Sequence, residues 1–176
     1  FSYEVAVILQ DGIRRMGHDQ EDVFYYVTLM NENYVHPDMP KGCEEGIIKG
    51  MYLLQESGAG NRESSKAKGK SKSQSGSKAP RVQLLASGVV VLEALKAAEM
   101  LDKEFGVKAD VWSCPGFVEL GRDGFDCERW NRLHPDPKQQ RTPYVSECLG
   151  KHAGPVVAAT DYVRGVADQI RAFIPH

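Results

Sequence analysis

Residues 81–113 constrain the fold of this chain more than any other stretch. Arg81-Val82-Gln83-Leu84-Leu85-Ala86 is a short, largely apolar run of strand-forming residues. Ser87-Gly88 follows as a tight turn, with Ser87 placed to cap a helix over about 89–105. Val91, Leu95, Ala98, Leu101 and Phe105 line one side of that helix, and Gly106 closes it. A second strand then occupies 109–113. Two strands joined through a helix form a parallel pair, because parallel strands need a long crossover. Farther on, the spacing predicts a short helix over 124–133 with Trp130 and Leu133 inward, and a third strand over 155–160. A last helix over 162–173 carries Val163, Val166, Ile170 and Phe173. The expected class is α/β, a parallel sheet with right-handed crossovers.

The first forty residues read differently. Ala6, Leu9, Ile13 and Met16 recur at helical spacing, widened by Val5 and Ile8, so a helix is expected over 3–16 with Ser2 as its cap and Gly17 ending it. Phe24-Tyr25-Tyr26-Val27-Thr28-Leu29-Met30 then reads as a buried strand over 23–30. It runs straight into Asn31-Glu32-Asn33-Tyr34. In open α/β sheets ligands gather outside the carboxyl ends of strands, so this polar cluster faces a ligand, a neighbouring subunit, or only the turn that ends the strand. After the turn-rich 36–40, a second helix is expected over 43–55, with Glu44 and Glu45 at its positive end and Ile47, Met51 and Leu54 inward.

Residues 57–80 are Ser, Lys and Gly with no large apolar side chain. Such a segment cannot bury enough surface to offset its ordering entropy, so it reads as a flexible tether between two domains. The alternative is a basic arm for nucleic acid or anionic lipid, but no aromatic residues interleave its lysines. The whole chain, with 22 basic and 24 acidic residues, argues against a nucleic-acid surface. No stretch approaches the roughly 20 apolar residues of a membrane span. A length of 176 residues suits one or two small domains. Phe1 opens at once onto a core-like helix, so the chain is expected to be a piece of something longer. Cys43, Cys114, Cys127 and Cys148 form no Cys-x-x-Cys pair, which favours reduced thiols of a cytoplasmic protein over a disulfide or metal framework.

Few residues suggest chemistry by themselves. Ser87-Gly88 lacks the further glycines of a dinucleotide or P-loop fingerprint, so helix capping is the simpler reading than phosphate binding. Asp126 and Glu128, two apart on a helix, point about 200° apart and do not form an acid/base pair. The charge-dense 121–131 reads as a surface network, or as a subunit or domain contact built around Trp130. Among five histidines only His36, just past the expected strand end, has a positional argument for a site, against the reading of an ordinary turn histidine.

Several strings in order carry a resemblance. They are Tyr3 to Ile8 with Asp11-Gly12, Phe24 to Tyr26 with Asn31-Glu32-Asn33-Tyr34, and Glu44 to Ile47 with Lys49-Gly50. Val82 to Leu85 with Ser87-Gly88, Asp123-Gly124, Asp126 to Asn131, Leu133-His134-Pro135 and Thr160-Asp161-Tyr162 complete the set. Together they resemble the decarboxylating first component of bacterial pyruvate dehydrogenase complexes, in its large homodimeric form. That group belongs to the transketolase-like, thiamine-diphosphate-dependent enzymes.

The resemblance implies three parts: the end of a middle, pyrimidine-binding domain (1–36), a connecting helix and tether (37–80), and an incomplete transketolase C-terminal-like domain with a parallel or mixed sheet (81–176). It implies a pyruvate dehydrogenase that passes an acetyl group to the lipoyl group of dihydrolipoyl acetyltransferase. A homodimer in the cytoplasm, with no nucleic acid or membrane partner, is implied too. Thiamine diphosphate and Mg²⁺ belong to the full-length enzyme. The diphosphate motif is missing here, the nearest string being Arg122-Asp123-Gly124, so no cofactor, metal or catalytic residue is expected in this piece and it is expected to be inactive alone. Asn31, Glu32, Asn33, Tyr34 and His36 are the implied substrate-channel or interface residues. Val35 stands where that group often has His, which weakens a proton-transfer role for His36. Transketolase itself tends to place a basic residue where this chain has Asn31, and a non-catalytic module that kept this fold is the alternative of another class.

Overall fold

The computed structural model describes residues 1–31, 33–57 and 79–175. Its centre is a four-stranded sheet in the order β1-β3-β2-β4. The strands are β1 (Tyr52–Gln55), β2 (Arg81–Ala86), β3 (Lys108–Ser113) and β4 (Val156–Ala159). β2 pairs in parallel with β3 and with β4, Leu85 facing Trp112 on one side and Ala158 on the other. β1 adds to the far edge of β3 antiparallel, so the sheet is mixed. β2 and β3 are joined by α3 (Val90–Phe105), the expected strand–helix–strand unit.

Helices cover both faces because the central strands are apolar on both. On one face α3 brings Val91, Ala94 and Ala98 against Val82, Ala86, Ala109 and Val111. On the other, α4 (Phe117–Leu133) and α5 (Tyr144–Leu149) bring Phe117, Leu120, Val145 and Leu149 against Leu85 and Trp112. α6 (Arg164–Asp168) and a 3₁₀ turn (Arg171–Phe173) complete that side, with Ile170 buried between them. At the front, α1 (Ser2–Ile13) continues as a π-turn through His18, and α2 (Glu44–Lys49) leads into β1.

Several expectations need correction. Residues 23–30 form no strand. They are largely exposed, and no described strand lies beside them to take their backbone hydrogen bonds. The helix expected over 43–55 stops at Lys49, and 52–55 become β1. Gly50 makes that break with φ at +102°, and a Cβ there would stand 2.5 Å from the Gly116 carbonyl oxygen. The edge of β3 then offers the following Tyr52-Leu53-Leu54 a ladder to join. Ser87 does not cap α3, whose N-cap is Val89. α4 begins at Phe117, seven residues ahead of the expected start. Its internal glycines serve close packing, since a Cβ on Gly124 would meet the Phe173 ring at 2.3 Å. Leu133 points outward and Val163 is exposed. Asp126 and Glu128 are both exposed on α4, and Glu128 pairs with Arg132. The expected tether falls largely on 58–78, outside the described residues.

Candidate functional site

The carboxyl end of β3 meets the first turn of α1 through Ser113. Glu4 sits there, buried on the inner face of α1 that it shares with Asp11, two turns on and also buried. Its Oε1 accepts from the Tyr52 hydroxyl at 2.8 Å and from Ser113 Oγ, on the last residue of β3, at 2.6 Å. Because Tyr52 spends its proton on Glu4, the 2.8 Å contact between the Tyr3 and Tyr52 hydroxyls has Tyr3 as donor. Burial, then the Glu4 charge, pushes the Tyr52 phenol far up, and burial pushes Tyr3 up to about 12. Both phenols therefore stay protonated and able to donate. On the neighbouring loops Ser87 Oγ donates to Thr160 Oγ1 at 2.8 Å, tying the turn after β2 to that after β4.

The described residues of 20–36 are pinned to α1 at two points. At one, the Tyr25 hydroxyl donates to Asp11 Oδ2 at 2.5 Å, while Arg14 donates to Asp11 Oδ1 at 2.8 Å and Arg15 to the Tyr25 oxygen at 3.1 Å. Burial works to raise the Asp11 carboxyl, but these bonds prevail and hold it below its usual range. At the other, the Ser2 backbone N–H donates to His36 Nδ1 at 3.1 Å, and Ser2 Oγ lies 3.0 Å from the same atom. Since an N–H can only donate, Nδ1 carries the lone pair and the neutral ring holds its proton on Nε2. Between the pins, the Thr28 hydroxyl meets that of Tyr162, beyond β4.

The sequence-predicted residues fall on this segment. Asn31 and Asn33 are exposed, with no side-chain hydrogen bond to another residue among the described residues, and Glu32 lies outside these. Tyr34 and His36 are half-buried, their rings 4.8 Å apart, with His36 in turn 5.6 Å from Phe1. The structure thus brings Tyr34 and His36 together at the sheet end. Sequence reasoning missed Glu4, Tyr52 and Ser113. The available signal was a single carboxylate within Tyr3-Glu4-Val5-Ala6-Val7, on the face shared with Ile8.

A second buried polar network lies on the α4 face. Asp110 is fully buried and takes Arg81 at 2.9 Å, the Ser57 backbone N–H at 2.8 Å, Gln83 Nε2 at 2.9 Å and His152 Nδ1 at 3.2 Å. Trp112 Nε1 donates to Gln83 Oε1 at 2.9 Å, extending the chain of bonds across two strands. Burial raises the Asp110 carboxyl, yet the Ser57, Gln83 and Arg81 bonds outweigh it and hold the group well below the carboxylate range. With every partner supplied from within, this network holds strands together. Trp130, expected as a contact residue, is sandwiched inside its own chain, with His134 stacked at 3.8 Å and the Arg141 guanidinium 3.6 Å from its ring. Burial pushes the Cys114 and Cys43 thiols up, away from nucleophilic use. An open hollow of about 300 Å³ lies between Lys41, Cys43, Glu45, Tyr52 and Tyr144. Among the described residues no group of three His, Cys, Asp or Glu side chains could hold a metal ion.

Comparison with known proteins gives this geometry its context. Residues 69–174 match the family model described as the transketolase-like TK C-terminal domain, and residues 1–37 that of the pyruvate dehydrogenase E1 component middle domain. The chain is 51% identical over 175 residues to a pyruvate dehydrogenase E1 component of Pseudomonas aeruginosa. It is 49% identical over 175 residues to that of Cupriavidus necator and 46% over 176 residues to that of Escherichia coli K12. Each alignment covers 99% of this chain, and the chain spans 18% of the length of these curated relatives. With more than half of its residues matched by that model, around a mixed sheet covered by helices, the chain belongs to the transketolase-like C-terminal domain family.

Proposed function

We propose that this chain is the carboxyl-terminal portion of a thiamine-diphosphate-dependent enzyme that decarboxylates pyruvate and transfers the acetyl group to the lipoyl group of a dihydrolipoyl acetyltransferase. The observation that carries the proposal is the 46–51% identity, spread over 99% of the chain, to pyruvate dehydrogenase E1 components of three bacteria. Residues 1–36 are assigned to the middle domain, 81–176 to the C-terminal domain and 37–80 to the link. The enzyme is assigned to the cytoplasm as a homodimer.

Within this portion, Asn31, Asn33, Tyr34 and His36, with Glu32 between them in sequence, form one wall of the substrate channel. Their role is positioning rather than that of an acid, base or nucleophile. Among the described residues no group of three His, Cys, Asp or Glu side chains offers Mg²⁺ a site, and the sequence lacks the diphosphate motif. No chemical step is assigned to them. The polypeptide of 176 residues is therefore expected to bind no thiamine diphosphate by calorimetry, with or without Mg²⁺.

The deciding experiment uses the full-length protein that contains this segment, supplied with thiamine diphosphate and Mg²⁺. Carbon dioxide release from pyruvate, and acetylation of an added lipoyl domain, are expected. Turnover of a ketose phosphate in place of pyruvate would replace the proposal with a transketolase. Failure on both substrates, with no cofactor bound, would leave a non-catalytic module. Asn31 favours the first outcome, because it offers no positive charge to a sugar phosphate.

A further inference from the structure

We propose that Glu4 is a positioning residue. It fixes the first turn of α1 against the carboxyl end of β3, and so sets where the His36 imidazole and the Tyr34 ring stand over the sheet. This rests on the reading of His36 and Tyr34 as channel residues.

Glu4 joins stretches that are distant in sequence: α1, Tyr52 of β1 and Ser113 of β3. All three side chains are buried, Glu4 at 6%, Tyr52 at 4% and Ser113 at 1% exposed. Both hydroxyls aim at one oxygen, Oε1, and Oε2 lies on the backbone nitrogen of Phe1. A carboxylate suits this place because it accepts only, and it faces donors. An amide at the same position would turn one of its ends, a donor, toward a donor. The Tyr3 hydroxyl extends the chain by donating to Tyr52, so loss of the carboxylate would also free Tyr52 from its orientation.

The turn that Glu4 holds is the turn that holds His36. Ser2, two residues earlier, fixes the imidazole through Nδ1 with both its N–H and its hydroxyl. The Phe1 and Tyr34 rings lie tilted against that ring, at 5.6 and 4.8 Å. Any tilt of the first turn of α1 therefore carries the imidazole with it. Misplacement of a positioning group by about 1 Å costs up to about a hundredfold in rate.

The test is made on the full-length protein, comparing wild type with Glu4→Gln and Tyr52→Phe. Hydrogen exchange is followed in peptides covering 33–36 and, as an internal control, in peptides covering β2. Both variants are expected to exchange at least about tenfold faster at 33–36, with β2 unchanged, a signature of local release. In steady-state assays KM for pyruvate is expected to rise about tenfold with kcat nearly constant, the mark of lost substrate binding. Unchanged exchange at 33–36 would overturn the proposal, as would equal acceleration in both regions, which would make Glu4 a global stability residue. If exchange responds while KM does not, the positioning of His36 has no bearing on the substrate and the proposal also fails. If the wild-type enzyme does not turn over pyruvate at all, the proposed function fails. The exchange arm then decides the positioning claim without it.

Discussion

Two runs of this chain have nearly the same chemistry and opposite fates. Val82-Gln83-Leu84-Leu85-Ala86 becomes the sheet's central strand, with Leu85 and Ala86 fully buried. Phe24-Tyr25-Tyr26-Val27-Thr28-Leu29-Met30 has the stronger strand-forming composition, yet Phe24 is 88% and Tyr26 86% exposed. The difference is a neighbour. β2 has β3 in register on one side and β4 on the other, whereas no described strand lies beside 23–30. Strand propensity is the ability to fit a pleated, half-covered surface, and it acts only where a surface is supplied. The run is held instead by side chains, through Tyr25, Thr28 and, beyond it, His36.

If that is the distinction, damage to the sheet should be far more costly than damage to the pinned run. The largest effect is expected at Gly154, just before β4. Its φ is +102°, and a Cβ there would stand 1.9 Å from the Arg81 carbonyl oxygen. Gly154→Ala forces the β2–β4 edge apart and is expected to cost about 4 kcal/mol or more, read by thermal or denaturant unfolding.

Next comes Asp110. Asp110→Ala leaves Arg81, Gln83 and His152 facing a void and is expected to cost about 3–5 kcal/mol. Asp110→Asn tests the charge through pH. The folded state holds this carboxyl well below its unfolded value of about 3.9. Its contribution is therefore complete above about pH 4 and is lost as pH falls below that toward the depressed folded value. Wild type should lose stability more steeply than Asp110→Asn as pH falls below 4. Parallel acid-unfolding curves would remove Asp110 from the account.

The same distinction explains what could be seen in the sequence. β2, α3, β3 and β4 were legible because each carries its own apolar pattern, which in β4 sufficed although its partner β2 is far away in the chain. β1 was not, because Ile47, Met51 and Leu54 keep helical spacing across Gly50, and only the edge of β3 decides for a strand. Gln83 and Asp110 were invisible as a pair, since their meeting depends on a register that no local pattern records. Ser87 had the look of a cap and is drawn off by Thr160, 73 residues away. The candidate site was half legible. The strings around Asn31–Tyr34 and His36 marked the segment, but Glu4, Tyr52 and Ser113 meet only through the fold.

A smaller effect is expected at the pin. Asp11→Ala removes the acceptor of Tyr25 and Arg14, and both partners retain access to water. The cost should be about 1–2 kcal/mol, with chymotryptic cleavage after Tyr25 and Tyr26 accelerated ahead of unfolding. Cleavage at an unchanged rate would show that the run is held by something other than Asp11.

The smallest effect tests the comparison most directly. In the polypeptide of 176 residues, Phe24→Ser removes a ring that is 88% exposed and should change stability by less than about 0.5 kcal/mol. The chain spans 18% of the length of its relatives, so the same substitution can be made where more of the protein accompanies it. If a neighbouring strand there covers the run, Phe24 becomes a core residue and its loss costs about 2–3 kcal/mol. A cost near zero in both settings would mean that absence of a neighbour does not account for the exposure of the run. A substantial cost only in the longer protein would make Phe24-Tyr25-Tyr26-Val27 the strand its composition describes, needing only the edge it pairs with.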